Sequence, residues 1–181
     1  MTEKLWIPLL SVAIGALLGG VINAMIGRYA AFKESKGIAA ALRAEIHSVL
    51  LMVQLRGYVP GLTNTIDSLS HPTHVVTTGD VPRIFLTQDY FSAFHATISK
   101  IGLIGELAGP VTRLYVFGKG LVEDLAQLRM MHETSAPGTR QELSDYLKEV
   151  RSLFEAVETE GRQLIARLDE YVERRWFKVL P

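Results

Sequence analysis

The sequence contains no cysteine. This absence excludes disulfides, thiolate nucleophiles and zinc or iron–sulfur sites built on cysteine, and it is compatible with a reducing compartment. A net charge is also missing, because 19 Lys and Arg residues balance 19 Asp and Glu residues. No overall field therefore favours nucleic acid, and we expect none as a partner.

Phosphate-binding loops are absent as well. The glycines of residues 102–109 and 118–120 match neither GxGxxG after a strand nor GxxxxGK[ST]. The first group is better explained as a turn at Gly105 and Gly109, with Pro110 in the first turn of the following helix. Without a nucleotide loop or paired carboxylates in a recognisable site, we expect no enzyme activity and no cofactor.

The histidines do not form a recognisable site. His71 and His74 lie in a proline-containing stretch with Asp80, but their spacing matches no standard metal site. His95 has no evident base–nucleophile partner, and we predict that it is a partly buried packing residue. The sequence thus nominates no catalytic residue and no metal ligand.

An uncharged stretch, residues 5–27, lies between Lys4 and Arg28. At 1.5 Å per residue it makes about 35 Å of helix, enough to cross a hydrocarbon core of about 30 Å. A signal peptide would have a shorter apolar region and a small-x-small cleavage site. A buried helix of a soluble protein rarely runs this long without a charge. We therefore predict a transmembrane anchor in residues 1–27.

The basic residues near this segment predict its orientation. Lys4 precedes it, whereas several Lys and Arg residues follow it closely. Because Lys and Arg accumulate on the cytoplasmic side, we expect a single-pass inner-membrane protein with its N-terminus outside and residues 28–181 in the cytoplasm. Aromatic residues at both ends fit the membrane interfaces. The interface residues predicted at the two ends of the segment are Trp6, Arg28, Tyr29, Phe32, Lys33 and Lys36.

Small residues recur along one side of the predicted span. Rows of this kind let another helix approach closely, and an amide on the same side can hydrogen-bond across the contact. Glycine and alanine are also common in membrane helices generally, but here they share one stripe. We predict self-association or pairing with another membrane helix through Gly15, Ala16, Gly19, Gly20, Asn23, Ala24 and Gly27.

Hydrophobic periodicity predicts an all-α chain, with an antiparallel bundle of about four helices in residues 28–181. In the third and fourth helices the apolar residues are spaced alternately four and three apart, as in a coiled coil. The apolar faces formed in this way could pack within one chain or between chains. Residues 58–88 are predicted to be irregular, with a short helix over residues 61–69. The four helices are expected at residues 5–56, 87–101, 110–131 and 140–176.

The fourth helix is long enough to return to the bilayer surface. Its end would then place aromatic side chains in the interface and cations on anionic headgroups. The alternative is a helix C-terminus whose cations complement the dipole while its aromatics pack into the bundle. The residues concerned are Arg174, Arg175, Trp176, Phe177 and Lys178.

The segment Ile101–Tyr115, with the span and the exit helix, resembles small bacterial inner-membrane proteins that have one N-terminal span and a helical cytoplasmic domain. The resemblance implies no activity and no catalytic residue. We expect a non-enzymatic membrane-anchored protein that forms homo-oligomers or recruits another membrane protein. The alternative is a membrane-perturbing effector of phage defence or lysis that self-associates through the span, although Asn23 alone is poor material for an aqueous pore.

Overall fold

The computed structural model describes residues 3–71, 77, 80, 82, 84, 88–133 and 139–174. Helices account for almost all of these residues and none of them is in a strand, so the predicted all-α class is confirmed. In chain order the elements are α1 (Glu3–Leu55), α2 (Tyr58–Ser70), a 3₁₀ helix (Gln88–Phe91), α3 (Ser92–Thr97), a second 3₁₀ helix (Ile98–Leu107), α4 (Ala108–Glu133) and α5 (Arg140–Glu173).

The predicted first helix is confirmed as one element of 53 residues. Gly57 ends it with a φ of 62°, a left-handed conformation that glycine adopts without a steric penalty. Pro60, which was expected to help end the helix, instead lies in the first turn of α2. A missing N–H costs nothing there, because the first N–H groups of a helix have no partner within it.

The short helix predicted over residues 61–69 is present and is longer than predicted, because residues 58–70 form α2; the prediction of irregular structure is wrong at residues 58–60 and 70. Its apolar residues Tyr58, Leu62, Ile66 and Leu69 share one buried face. The polar residues between them resemble a turn sequence. However, their hydroxyls bond back to carbonyls four residues earlier, as in Thr63 Oγ1 to the Val59 carbonyl at 3.0 Å. The buried face therefore overrides the local preference of Ser and Thr for turns.

The second predicted helix is interrupted. Phe91 and Phe94 are buried as expected, but Ile98, predicted on the same face, is 49% exposed. At Ile98 the chain tightens into a 3₁₀ helix of three residues per turn, which rotates the following side chains off the α-helical face. His95 is exposed, not partly buried, and its ring touches the Phe94 ring at 5.9 Å between centroids.

The predicted turn before the third helix is present at Gly105. Its φ of 60° and ψ of −126° are accessible to glycine but not to other residues without strain. Gly109, also assigned to that turn, is already helical, because α4 begins at Ala108. Pro110 lies in the first turn of α4, as expected.

The apolar faces of α4 and α5, whose residues are spaced alternately three and four apart, form the interior of the domain. Every residue predicted on this face of α4 is buried, and Leu147, Val150 and Phe154 of α5 are almost fully buried. A capping box starts α5, with Thr139 and Glu142 each bonding the other's backbone N–H. The helix ends at Glu173, three residues earlier than predicted, where the Arg174 backbone turns to a ψ of 136°.

In the contacts between α1 and α5, residue numbers decrease along α5 as they increase along α1. Lys36 donates to the carbonyl of Arg174 at 2.8 Å, Arg43 pairs with Asp169 at 2.8 Å, and the ring of Tyr58, just beyond α1, lies 5.9 Å from that of Phe154. The lower half of α1 therefore lies alongside α5 over its length.

Two glycines permit close packing inside the domain. A Cβ at Gly161 would lie 3.0 Å from Leu50 Cδ1, which gives this glycine a packing role. A Cβ at Gly118 would lie 2.9 Å from Phe91 Cζ. The close neighbour of Gly118 is therefore an aromatic ring and not a helix backbone.

We predict that Gly118→Ala and Gly120→Ala have opposite effects, although they make the same change on one helix. A Cβ at Gly120 meets nothing within 4 Å, so alanine should raise the free energy of unfolding by about 0.5–1 kcal/mol. The Gly118 variant should be less stable than the Gly120 variant by about 1–3 kcal/mol, because the buried Phe91 ring must move. Denaturation of the detergent-solubilised proteins followed by circular dichroism measures both, and equal stabilisation would contradict the packing.

Candidate membrane-association site

The upper part of α1, from Leu10 to Ala31, is not covered by any other described part of the chain. Every side chain from Leu10 to Ala31 is exposed, including large apolar ones such as Leu17 and Ile22. Within the described residues, α1 is the helix long and apolar enough to cross a membrane. This bare segment is therefore the candidate site, because its apolar side chains are not covered by the described residues.

Burial begins abruptly lower on the same helix. From Leu10 onward, Ser35 is the first buried residue of α1, and its hydroxyl donates to the Phe32 carbonyl at 2.8 Å. The Tyr171 hydroxyl of α5 lies 3.1 Å from Ser35 Oγ. From Ile38 onward the inner face of α1 belongs to the core. One uninterrupted helix is therefore bare above Phe32 and packed below it.

The small-residue stripe lies entirely on the bare part. A Cβ added at its glycines would meet nothing within 4 Å, and its alanines and asparagine are exposed. No described part of the same chain covers this stripe, so its pairing with a second helix stays a prediction. The residues are Gly15, Ala16, Gly19, Gly20, Asn23, Ala24 and Gly27.

Cations and aromatics occur together where α1 leaves the bare segment. The Lys33 ammonium lies 5.5 Å from the centroid of the Tyr29 ring, and the Lys36 ammonium lies 5.3 Å from that of Phe32. Each pair is one helical turn apart and combines charge with aromatic surface. Arg28 is exposed above them. The residue types match those of a membrane interface.

The end of α5 meets this same region. Lys36 bonds the Arg174 carbonyl, and the Arg174 guanidinium lies 5.4 Å from the Tyr171 ring centroid. Two groups of interface residues that were predicted separately are thus brought together by the fold. The remaining predicted interface residues, Arg175, Trp176, Phe177 and Lys178, lie outside the described residues, as does the side chain of Trp6.

Sequence reasoning missed a polar contact at Glu45. Its carboxylate accepts from the backbone N–H groups of Ala93 and Phe94 at 2.5 and 3.1 Å, and from the Tyr115 hydroxyl at 2.5 Å. Burial, followed by the bond to Glu45, raises the pKa of Tyr115. A signal was available, because Glu45 shares the inner face of α1 with Leu42 and Val49. This carboxylate joins α1 to α3 and α4.

A small apolar cavity lies beside this contact, between α1, α4 and α5. Its volume is about 40 Å³, and its walls include Leu50, Phe91 and Phe154. This space admits a water molecule but not a cofactor. Among the residues that the structure describes, no three His, Asp or Glu side chains lie close enough together to hold a metal ion.

Comparison with known proteins finds no relative. The chain matches no protein-family model, no curated protein and no solved structure.

We predict that Glu45→Ala lowers the free energy of unfolding by about 2–3 kcal/mol, because two N–H groups and one hydroxyl lose a charged acceptor. Glu106→Ala removes an exposed carboxylate and should have little effect. Thermal and chemical denaturation of the three proteins measures the difference. Equal stability of the two alanine variants would contradict the role assigned to Glu45.

We also predict that the pKa of Tyr115 falls in Glu45→Gln, since the negative charge that raises it is removed. The absorbance of the phenolate measures this pKa.

Proposed function

We propose that the chain is a single-pass inner-membrane protein whose helical domain acts, without catalysis, as an anchored platform for oligomerisation or partner recruitment. The observation that carries this proposal is the change in burial along α1. The helix is exposed on all sides from Leu10 to Ala31, and it becomes part of a packed core from Ser35.

The size of the bare surface supports a bilayer as its cover. A helix of this length is about 33 Å long and about 10 Å wide, which gives about 1,000 Å² of lateral surface. Soluble monomers rarely expose apolar patches larger than a few hundred Å². A single partner helix covers one side only, whereas lipid covers every side. Membrane insertion therefore accounts for the whole exposed surface.

The continuity of α1 supports an anchor over a removable signal sequence. The helix runs unbroken from Glu3 to Leu55, and its lower half supplies Leu42 and Ile46 to the core. Cleavage after the apolar region would cut a continuous helix just before its first buried residue, Ser35. An anchor keeps that helix intact.

The same contacts support an antiparallel bundle below the membrane. Partners on α5 descend in number as those on α1 ascend, from the pair Lys36 and Arg174 to the pair Tyr58 and Phe154. The excess of Lys and Arg after the span favours a cytoplasmic location for this bundle. The bundle's interior is apolar, and the Glu45 carboxylate that reaches it is engaged in packing. These features fit a scaffold better than a catalyst.

We predict that a C-terminal fluorescent-protein fusion is bright in cells and that the corresponding alkaline phosphatase fusion is inactive. The native protein should stay in the membrane fraction after a carbonate wash. Changing Leu17 and Leu18 together to Arg should release it, since a central charge costs about 2.5–3.5 kcal/mol of insertion free energy. The matched control changes Leu51 and Leu55, exposed on the lower half of α1, and should remain bound.

Two outcomes would overturn parts of this proposal. A dark fluorescent fusion with an active phosphatase fusion would reverse the orientation. Release of the native protein by carbonate, or equal behaviour of the two double variants, would remove the anchor.

We further predict that the detergent-solubilised native protein is a dimer or larger. Changing Gly15, Gly19 and Gly27 to Leu should yield a monomer, because bulky side chains prevent the close approach of two helices. The control changes Ile14, Val21 and Met25 to Leu on the opposite side of the helix and should keep the native mass. Light scattering with detergent correction gives the masses. A monomeric native protein would exclude self-association while leaving the anchor in place.

A further inference from the structure

The described chain between α3 and α4 forms a turn at the membrane-proximal end of the domain. Ala93 lies beside Glu45 of α1, and Lys100 pairs with Glu34, which lies about 16 Å further up the same helix. The chain then reverses, because Tyr115 of α4 is again beside Glu45. The residues at the reversal, Lys100–Gly105, are here called the apex turn.

The apex turn lies at the height where α1 would leave a membrane. Glu34 is six residues after Arg28, or about 9 Å along the helix. The headgroup layer on each side of the hydrocarbon core is about 5–7 Å thick, so Glu34 lies about 2–4 Å beyond this layer, a gap that one side chain of the turn can span. Tyr171 fixes the turn at this height, since its hydroxyl donates to the Leu103 carbonyl at 3.3 Å and also lies beside Ser35.

Two apolar side chains are exposed at or beside this turn. Leu103 is 39% exposed at the turn itself, and Ile98 is exposed just before it. Between them lie the exposed polar residues Ser99 and Lys100, of which Lys100 adds a cation to the turn. Lys33 and Arg174 lie at the same end of the domain, on α1 and after α5. An apolar tip near cations matches the chemistry of an anionic lipid interface.

We propose that the apex turn contacts the headgroup layer of the bilayer that α1 crosses, with Leu103 inserted among the lipids. This inference rests on the proposed membrane anchor and adds a second attachment point. With one point, α1 and the domain would be free to tilt together in the bilayer. With two points, the span and the apex turn, the long axis of the domain is held at a defined angle to the membrane.

The absence of cysteine allows a direct test, because any introduced cysteine is unique in the chain. Leu103→Cys and Leu55→Cys make the same change at exposed leucines near opposite ends of the domain. Each full-length variant is labelled with an environment-sensitive fluorophore. The proteins are then reconstituted into phosphatidylcholine–phosphatidylglycerol vesicles that carry a headgroup spin label. Circular dichroism confirms that the variants keep the native helix content.

The label at residue 103 should emit at shorter wavelength than that at residue 55 and be quenched several-fold more strongly. Residue 55 lies about 40 Å along α1 from Arg28, so its label should not be quenched. A third variant, Leu17→Cys, tested with an acyl-chain spin label, reports the span by itself. If residue 17 is quenched but residue 103 behaves like residue 55, the apex contact is wrong and the anchor stands. If residue 17 is not quenched, both proposals fail.

Discussion

The packing of α5 against the lower half of α1 is the interaction on which the rest of the domain depends. At Gly161 the helices approach so closely that a Cβ would lie 3.0 Å from Leu50 Cδ1. The ion pair between Arg43 and Asp169 crosses the same interface, but both side chains are about two-fifths exposed, and such pairs contribute little. Apolar contact therefore provides most of the stability. Because α2 and α4 also pack on α5, a shift at this interface would disturb the core along the whole domain.

The continuity of α1 makes the orientation of the domain depend on the orientation of the helix. A flexible linker would let a cytoplasmic domain diffuse around its anchor. Here the residues that would meet lipid and the residues that form the core belong to one helix, separated by only a few positions around Phe32. Any tilt of the upper half is transmitted to the core through backbone hydrogen bonds. The element that would anchor the domain therefore also sets its orientation.

Periodic apolar residues predicted much of this fold. The long first helix, the apolar faces of α4 and α5 and the turn at Gly105 follow from spacing and from the conformational freedom of glycine. A short helix over residues 61–69 was also predicted, but Ser and Thr in this segment favour turns in isolation, so the full length of α2 was not. The tightening at Ile98 has no marker in the spacing.

The candidate site was predictable in part. Length and the lack of charge identified the bare segment from residues 5–27 alone. Arg174 can contact Lys36 only if α5 is as long as the lower half of α1. The sequence predicted this, since the fourth helix was expected to be long enough to return to the bilayer surface. The role of Glu45 was missed. A charged residue on an apolar helix face indicates that it has a polar partner, but the sequence does not show which residue that partner is. Ala93, Phe94 and Tyr115 come to Glu45 from distant parts of the chain, and only the fold brings them together.

Pairing through the small-residue stripe also constrains how two domains would fit side by side. Small residues spaced four apart favour helix crossings near −40°, which tilt each helix about 20°. The core around Ile46 lies about 40 Å below Gly19, so the two α1 helices would be roughly 30 Å apart at that height. A crossing near +20° would leave only about half that separation. The wider crossing would leave more room for a bundle on each helix, so association through the span would not require an interface between the domains.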